Sequence, residues 1–432
     1  MDRAFDLNRA ENALAARDAP ALRAALLDLC PATSDQGNLD ALICFALDDR
    51  IAPSAIEGAD DAFVASIASM RGPDRVSGCH HRIIGEALDF LGELDDPTSW
   101  TPAQWLNLLM LGQIRAPSRA AVVGTMRDDG IYVLEWIAHY RALGLKHLFI
   151  YTNDNMDGSE ALLRQLAELK IITLIESHTS GRVRPEVKAF NHAVHLLRDL
   201  RDYEWVLFVD SDEFFVPSQQ YSTVTDLLDA LEHRYPDGSA AAIAYQWLWY
   251  NSAMILQREP GTLAERFQYA TPHWLTKSLV RLRDVVSMRR QHIPDLRAGR
   301  IIVDSAFDPF DAGDPWEDWK IQYAGGRVNH YWPKSFEEFS LKKARGEALK
   351  LADNEYARDF RLFFEWNGPD TPETHRPVDP AFLDRVRRGM AEMRAMPGVA
   401  ACEAEVERRF RELLRRYDDA GGLRRIYTSV KA

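Results

Sequence analysis

The rhythm of apolar and polar positions changes near residue 118. Before it, Ala- and Leu-rich pieces such as 21–30 and 39–47 carry apolar residues at three- and four-residue intervals. Pro31, Pro53, Pro73 and Pro102 punctuate them, so residues 1–115 are predicted to be helices joined by short loops. From Ser118 onward the pattern alternates. Ala120-Ala121-Val122-Val123-Gly124 has the composition of a buried strand. Val133, Trp136, Ile137 and Tyr140 then form one stripe of a helix over 132–143, and Gly144 stands where a helix-ending glycine belongs. A strand at 147–151 leads into a polar turn, 152–158, after which Ser159 is placed to cap a helix through Leu162, Leu163 and Leu166. A third strand at 171–175 follows. Pro185 opens the next helix, with Val187, Phe190, Val194 and Leu197 on its apolar face, and an apolar strand at 205–209 closes the series. Four strands alternating with three helices predict an α/β fold on a right-handed, mostly parallel sheet flanked by helices.

Later segments mix short strands (240–245, 278–283, 327–331) with a Pro- and Asp-rich loop at 304–318, a helix from 335 to about 352, and charged terminal helices such as 401–417. Three regions are therefore expected: a helical region at 1–115, an α/β domain at 116–350, and a helical extension at 351–432. There is no internal repeat and no low-complexity tract.

Composition narrows the function classes. The 432 residues include 52 Lys or Arg and 65 Asp or Glu, a formal net charge of -13, and 46% are hydrophobic. The hydrophobic share excludes wholesale disorder. The acidic balance argues against nucleic acid as a partner, since a polyanion is bound by a basic face. Four widely spaced cysteines fit neither a disulfide framework nor a structural zinc site. The pair His80-His81 suggests a metal only superficially, because adjacent side chains diverge and no further ligands accompany them. The N-terminus lacks the pattern of a secretion signal, and no apolar run reaches the roughly 20 residues of a membrane span. A reducing, cytoplasmic setting without a transmembrane segment is expected.

The chemistry is concentrated where the apolar strand 205–209 runs into Asp210-Ser211-Asp212-Glu213-Phe214-Phe215. Ligands of open α/β sheets gather at the carboxyl ends of strands. Two carboxylates at i and i+2 on that edge demand a cation, and hard oxygen ligands suit Mg²⁺ or Mn²⁺. The competing reading is a solvated acidic turn. Asp154 and Asp157, after the second strand, would meet the base or ribose of a nucleotide, or merely close an Asx-type turn. Arg127, closing the first strand, would bond a nucleotide or serve as a surface cation.

Four separated motifs carry a resemblance. Residues 130–144, the turn Asn153-Asp154-Asn155-Met156-Asp157-Gly158-Ser159, the acidic strand end, and His330-Tyr331-Trp332-Pro333-Lys334-Ser335 with Arg345-Gly346 occur in the order seen in bacterial family 2 glycosyltransferases. They are most similar to the subgroup akin to the family 92 enzymes. The resemblance spans about residues 119–350. The chain departs from that pattern at Arg127-Asp128-Asp129, at Thr152 and at Glu186.

The resemblance implies a GT-A fold, a nucleotide-sugar donor, a carbohydrate or glycoconjugate acceptor, and a divalent metal, Mn²⁺ or Mg²⁺. It implies Asp212 as metal ligand, Asp210 on the ribose or at the metal, and His330 as a nitrogen ligand to the same ion. It also implies inverting transfer of a hexosyl-type sugar. Lys334, Lys342 and Arg345 would neutralise a leaving diphosphate or, alternatively, form a solvated helix face. Lys277 and His292 follow the same logic more weakly. Trp247, Trp249, Tyr250, Trp316 and Trp319 would stack on sugars or fill core. The base that deprotonates the acceptor is sought in the acidic loop Asp304, Asp308, Asp311, Asp314, Glu317 and Asp318, with Asp308 and Asp311 as candidates. The rival classes are a non-catalytic sugar-binding or scaffold protein of the same fold and a metal-dependent phosphatase, whose Asp-x-Asp normally opens its domain. Residues 1–115 are open to three roles: covering the catalytic domain, dimerisation into a homo-oligomer, or acceptor recognition.

Overall fold

In the computed structural model the described residues are 7–29, 39–40, 43, 47, 74–77, 80–82, 102–177, 184–195, 197–313, 318–344, 360–365, 367, 374–418, 423 and 427–428. Helices α1 (Leu7–Ala15), α2 (Ala19–Leu29) and α3 (Pro102–Gly112) come from the N-terminal region. That region is not wholly helical. It also supplies a hairpin, β1 (Asp74–Ser77) and β2 (His80–Arg82), which joins the main sheet. Strands of three and four residues are too short to produce a periodic signal, and His80-His81 lies on the second of them.

The alternating part follows the predicted series: β3 (Ser118–Met126), α4 (Val133–Ala142), β4 (Leu148–Asn153), α5 (Ser159–Glu168), β5 (Thr173–Ser177), α6 (Pro185–His195) and β6 (Tyr203–Asp210). Gly144 takes φ +88°, the left-handed conformation expected at a helix end. Ser159 is the first helical residue of α5 rather than its cap. Gly158, at φ +83°, precedes it, and the Asp157 carboxylate accepts hydrogen bonds from the Ser159 N–H and hydroxyl at 3.0 and 2.6 Å.

Next come β7 (Glu213–Pro217), α7 (Val224–Arg234), β8 (Ala240–Tyr250), α8 (Leu263–Arg266) and β9 (Tyr269–Arg281). Then follow β10 (Val285–Arg290), β11 (Ile293–Leu296), β12 (Ile301–Val303), β13 (Gly326–His330) and α9 (Phe336–Ala344). The chain continues through α10 (Phe360–Glu365), β14 (Thr374–His375), α11 (Pro380–Arg394) and α12 (Val399–Tyr417). Strand β8 is longer than the pattern predicted, so Trp247, Trp249 and Tyr250 lie within a strand and are buried. Asp314, Trp316, Glu317, Arg345 and Gly346 lie outside the described residues.

Among the described residues, twelve strands form one mixed sheet whose main path is β1-β2-β5-β4-β3-β6-β9-β8-β13-β7. Strands β2, β5, β4, β3 and β6 are mutually parallel. Strand β9 runs antiparallel to both β6 and β8, which makes β8 parallel to β6, and β13 is parallel to β8. Strands β3, β4, β5, β6, β8 and β13 therefore present their carboxyl ends at the same edge, where ligands of α/β sheets bind.

Period-two alternation splits each strand between two cores. Trp205, Leu207 and Val209 of β6 face a core built with α4, α5 and α7, and Val206 and Phe208 face one built with α1, α2, α3 and α6. Phe382, Val386, Met393, Val399 and Val406 of α11 and α12 complete the first core. At Gly124 of β3 an added Cβ would stand 2.7 Å from the Trp136 ring, so the absence of a side chain lets that indole lie against the sheet. Among the described residues no helix is long and apolar enough to cross a membrane.

Candidate active site

A cavity of about 260 Å³ opens at the shared carboxyl edge. Thr125, Arg127, Asn153 and Ser177, from the ends of β3, β4 and β5, line one side. Asp210, Ser211 and Asp212 lie at its centre, at the end of β6. Trp247 of β8, His330 of β13 and Trp332 line the other side, joined by Glu186 of α6, Gln291, His292 and Lys342 of α9.

The turn that carries the two aspartates is fixed from several directions. The Trp136 indole N–H donates to the Asp210 carbonyl at 3.1 Å. The Asp210 N–H donates to Glu213 Oε2 at 2.8 Å, and the Tyr331 N–H donates to the Asp212 carbonyl at 2.9 Å. Strand β13 pairs with β7 in the register His330↔Glu213, which sets the imidazole beside the aspartates. Ser211 Oγ donates to Asp129 Oδ2 at 2.6 Å.

Three groups converge on Asp212 from more than a hundred residues along the chain. His330 Nε2 stands 3.4 Å from Oδ1, Lys334 Nζ 3.6 Å from Oδ2, and Lys342 Nζ bonds Oδ2 directly. Burial alone would raise the pKa of Asp212, but Lys342, then Lys334, then His330 hold it well below the usual carboxylate range. Burial lowers the pKa of His330, leaving its imidazole neutral and able to offer a lone pair.

Asp210 is held differently. Thr125 Oγ1 donates to Oδ1 at 2.6 Å, and Lys277 Nζ stands 2.7 Å from Oδ2. Burial works to raise this carboxyl too, and Lys277 outweighs it. Lys277 thus sits behind the aspartate rather than at a diphosphate. Burial drives His292 down to about 3, and its Nδ1 lies 2.9 Å from the Thr276 carbonyl, so it supplies no positive charge.

Helix α9 is aimed by its own start. Ser335 and Glu338 form a reciprocal cap, with Ser335 N to Glu338 Oε2 at 3.0 Å and Glu338 N to Ser335 Oγ at 3.3 Å. Arg266 grips Glu338 through two 2.9 Å bonds, and Tyr132 Oη donates to it at 2.6 Å. Burial would raise the pKa of Glu338, yet Arg266 and these donors hold it at about 2. One turn later on the same face, Lys342 reaches Asp212. Lys334 has φ +53° and its ammonium lies 4.6 Å from the Tyr132 ring centre.

Other expected residues go elsewhere. Asp157 is committed to holding two segments together: besides bonding Ser159, the first residue of α5, its Oδ2 accepts the Gly130 N–H at 2.8 Å. Asp154, at φ +45°, and Asp128, at φ +51°, adopt turn conformations that aspartate tolerates. Neither Asp154 nor Asp157 lines the cavity; Arg127 and Asn153 occupy that side. Asp308 and Asp311, expected as candidate bases, are also absent from it. Strand β12 pairs with the beginning of β8, at the opposite edge of the sheet. There Arg234 Nη2 donates to Asp308 Oδ1 at 2.9 Å, and the Asp311 carboxylate accepts from the Gly313 N–H at 3.0 Å. Asp304 accepts from Ala306 and Asp308 N–H groups. Thr125, Asp129 and Gln291 escaped the sequence reading. Asp129 lay in a triplet noted only as a departure, and nothing local marked the other two.

The donor set fits a hard divalent cation in one place. The Asp212 carboxylate and the neutral His330 imidazole face each other through Oδ1 and Nε2 at 3.4 Å, a carboxylate and an imidazole nitrogen of the kind such ions take. Asp210 has both oxygens engaged. The described residues assemble no group of three His, Cys, Asp or Glu ligands. Two protein ligands completed by water and phosphate oxygens are the usual arrangement for Mg²⁺-type sites.

A model of glycosyltransferase family 92 matches residues 126–335, a span containing Asp210, Asp212, Lys277, His330 and Lys334. This relates the chain to glycosyltransferase family 92. A family 92 protein of Ricinus communis is 28% identical over 126 residues, covering 29% of this chain and 21% of that protein. One of Oryza sativa subsp. japonica is 29% identical over 116 residues, covering 26% and 19% respectively. The matched part thus spans about a fifth of these relatives' length. Among solved structures, residues 1–349 of S. aureus TarS match with 11% identity over 70% of this chain and 92% of that one, at a TM-score of 0.25.

Proposed function

We propose that this chain is a metal-assisted glycosyltransferase, moving a hexosyl-type sugar from a nucleotide-sugar donor to an acceptor hydroxyl with inversion at the anomeric carbon. The observation that carries the reading is the convergence of His330, Lys334 and Lys342 on Asp212 at a carboxyl strand edge, inside the span related to family 92. The nucleotide would lie toward Arg127 and Asn153, and the sugar and acceptor toward Trp247 and Trp332. An Mn²⁺ or Mg²⁺ ion held by Asp212 and His330 would supply charge stabilisation to the diphosphate.

As the acceptor oxygen bonds to the anomeric carbon, the bond from that carbon to the phosphate oxygen breaks and the diphosphate leaves with its electron pair. Lys342, lining the cavity, and Lys334 beside it would neutralise the charge that develops there. Asp210, oriented by Thr125 and Lys277, would accept from the ribose hydroxyls. The acceptor proton would pass to a carboxylate lining the cavity, Glu186 or Asp129, rather than to Asp308 or Asp311.

The test is release of nucleoside diphosphate from a panel of nucleotide sugars, with and without Mn²⁺, preceded by thermal-shift screening of the same ligands. Metal-stimulated release from one donor is expected. Phosphate release from simple esters, or a flat response to every nucleotide sugar and to Mn²⁺, would overturn the reading.

A further inference from the structure

The two aspartates at the end of β6 have counter-ions of unlike kind. Lys342 and Lys334 meet Asp212; Lys342, on the last turn of α9, lines the cavity, and Lys334 lines the one beside it, so both border space that a phosphate can enter. Lys277, which meets Asp210, reaches it from β9 and does not line the cavity. It is 1% exposed, with Nζ 2.7 Å from Asp210 Oδ2 and 3.4 Å from Glu213 Oε2, and the Phe190 ring centre lies 5.6 Å away. Withdrawing it would leave Asp210 without its buried counter-ion. The remaining oxygen of Asp210 takes the Thr125 hydroxyl. A divalent ion approaching Asp210 would share its carboxylate with an ammonium that has no route out, in surroundings where like charges repel strongly.

Resting on the reading of the cavity as a metal-assisted transfer site, we propose that Lys277 is a positioning residue that keeps Asp210 out of the coordination sphere of the divalent cation. The spacing i, i+2 alone would let both carboxylates grip the ion. The buried ammonium divides them, leaving Asp212 with His330 to the metal and Asp210 to a neutral donor such as a ribose hydroxyl. Removing the charge at 277 should release Asp210 as a third ligand. Metal binding should then tighten while turnover falls, a combination that lost packing does not produce.

The experiment is titration with Mn²⁺ alone, following the free-ion signal by electron paramagnetic resonance. Lys277→Met combined with Glu213→Gln removes the buried ammonium together with its acid neighbour and retains an acceptor for the Asp210 N–H. This double variant is expected to bind Mn²⁺ about tenfold more tightly than wild type, the scale on which groups around a metal ligand act. Adding Asp210→Asn to it should return the affinity to the wild-type value. Asp210→Asn alone, which does not depend on the double variant folding, should stay within about twofold of wild type, whereas Asp212→Asn should bind at least about tenfold more weakly. Loss of affinity in Asp210→Asn comparable to that in Asp212→Asn, or a double variant no tighter than wild type, overturns the proposal alone. A wild-type protein that takes up no Mn²⁺, either alone or with a nucleoside diphosphate present, overturns the metal-assisted reading itself, and this inference with it.

Discussion

Strands β3 and β6 carry an ionic cluster at each end, and the two clusters are unlike. At their amino ends Arg119 bonds Glu204, Asp229 and Glu232 at 2.7–2.9 Å, with the acids 32–65% exposed. At their carboxyl ends Asp210 and Asp212 meet Lys277, Lys334 and Lys342, whose side chains are 1–10% exposed. The first cluster is wet, and such pairs contribute little to stability. The second concentrates three ammonium groups on two carboxylates where desolvation is costly, a poor way to stabilise a fold and a good way to receive an anion. Ion pairs are abundant in this protein; burial and convergence at a carboxyl strand edge set the second cluster apart.

The largest expected contrast is Asp212→Ala, which should lower donor turnover by about a thousandfold or more, since it removes the point on which metal and cations converge. Wild-type-like turnover in that variant would erase the distinction between the two ends. Lys342→Met should cost about a hundredfold in kcat with a smaller change in donor KM, because its charge is needed mainly as the diphosphate leaves. His330→Ala should weaken Mn²⁺ binding by about 10- to 100-fold in a direct titration. At the other end, Arg119→Ala should lower unfolding free energy by about 1 kcal/mol and leave turnover within about twofold. The smallest effect is expected for Asp308→Asn: below about 0.5 kcal/mol in denaturant titration, with unchanged turnover. A large loss of activity there would return the base to the far edge.

Local pattern carried the series β3 to β6 because each element announces its own period. The wholly apolar run 205–209 ending in Asp210 pointed to the strand edge at which the cavity opens, and His330 was legible through its motif and Lys342 through its place on the helix that follows. The placement of Lys277 was not. It depends on which strand lies beside β6 and in what register, Leu207 opposite Leu279, a pairing across some 70 residues that no local spacing encodes. Asp308 and Asp311 were misplaced for the same reason. Their loop follows a strand that pairs with the beginning of β8, not with its end. The β1–β2 hairpin was invisible because its strands are too short to show a period.

The insertion of β13 between β8 and β7 bears on how the protein matures. The turn bearing Asp212 leads into β7, whose partner strand β13 is supplied more than a hundred residues later along the chain. Loop closure over such separations is slow. A nascent chain therefore carries its acidic turn without the imidazole or the two front lysines until β13 has been made and has paired with β7.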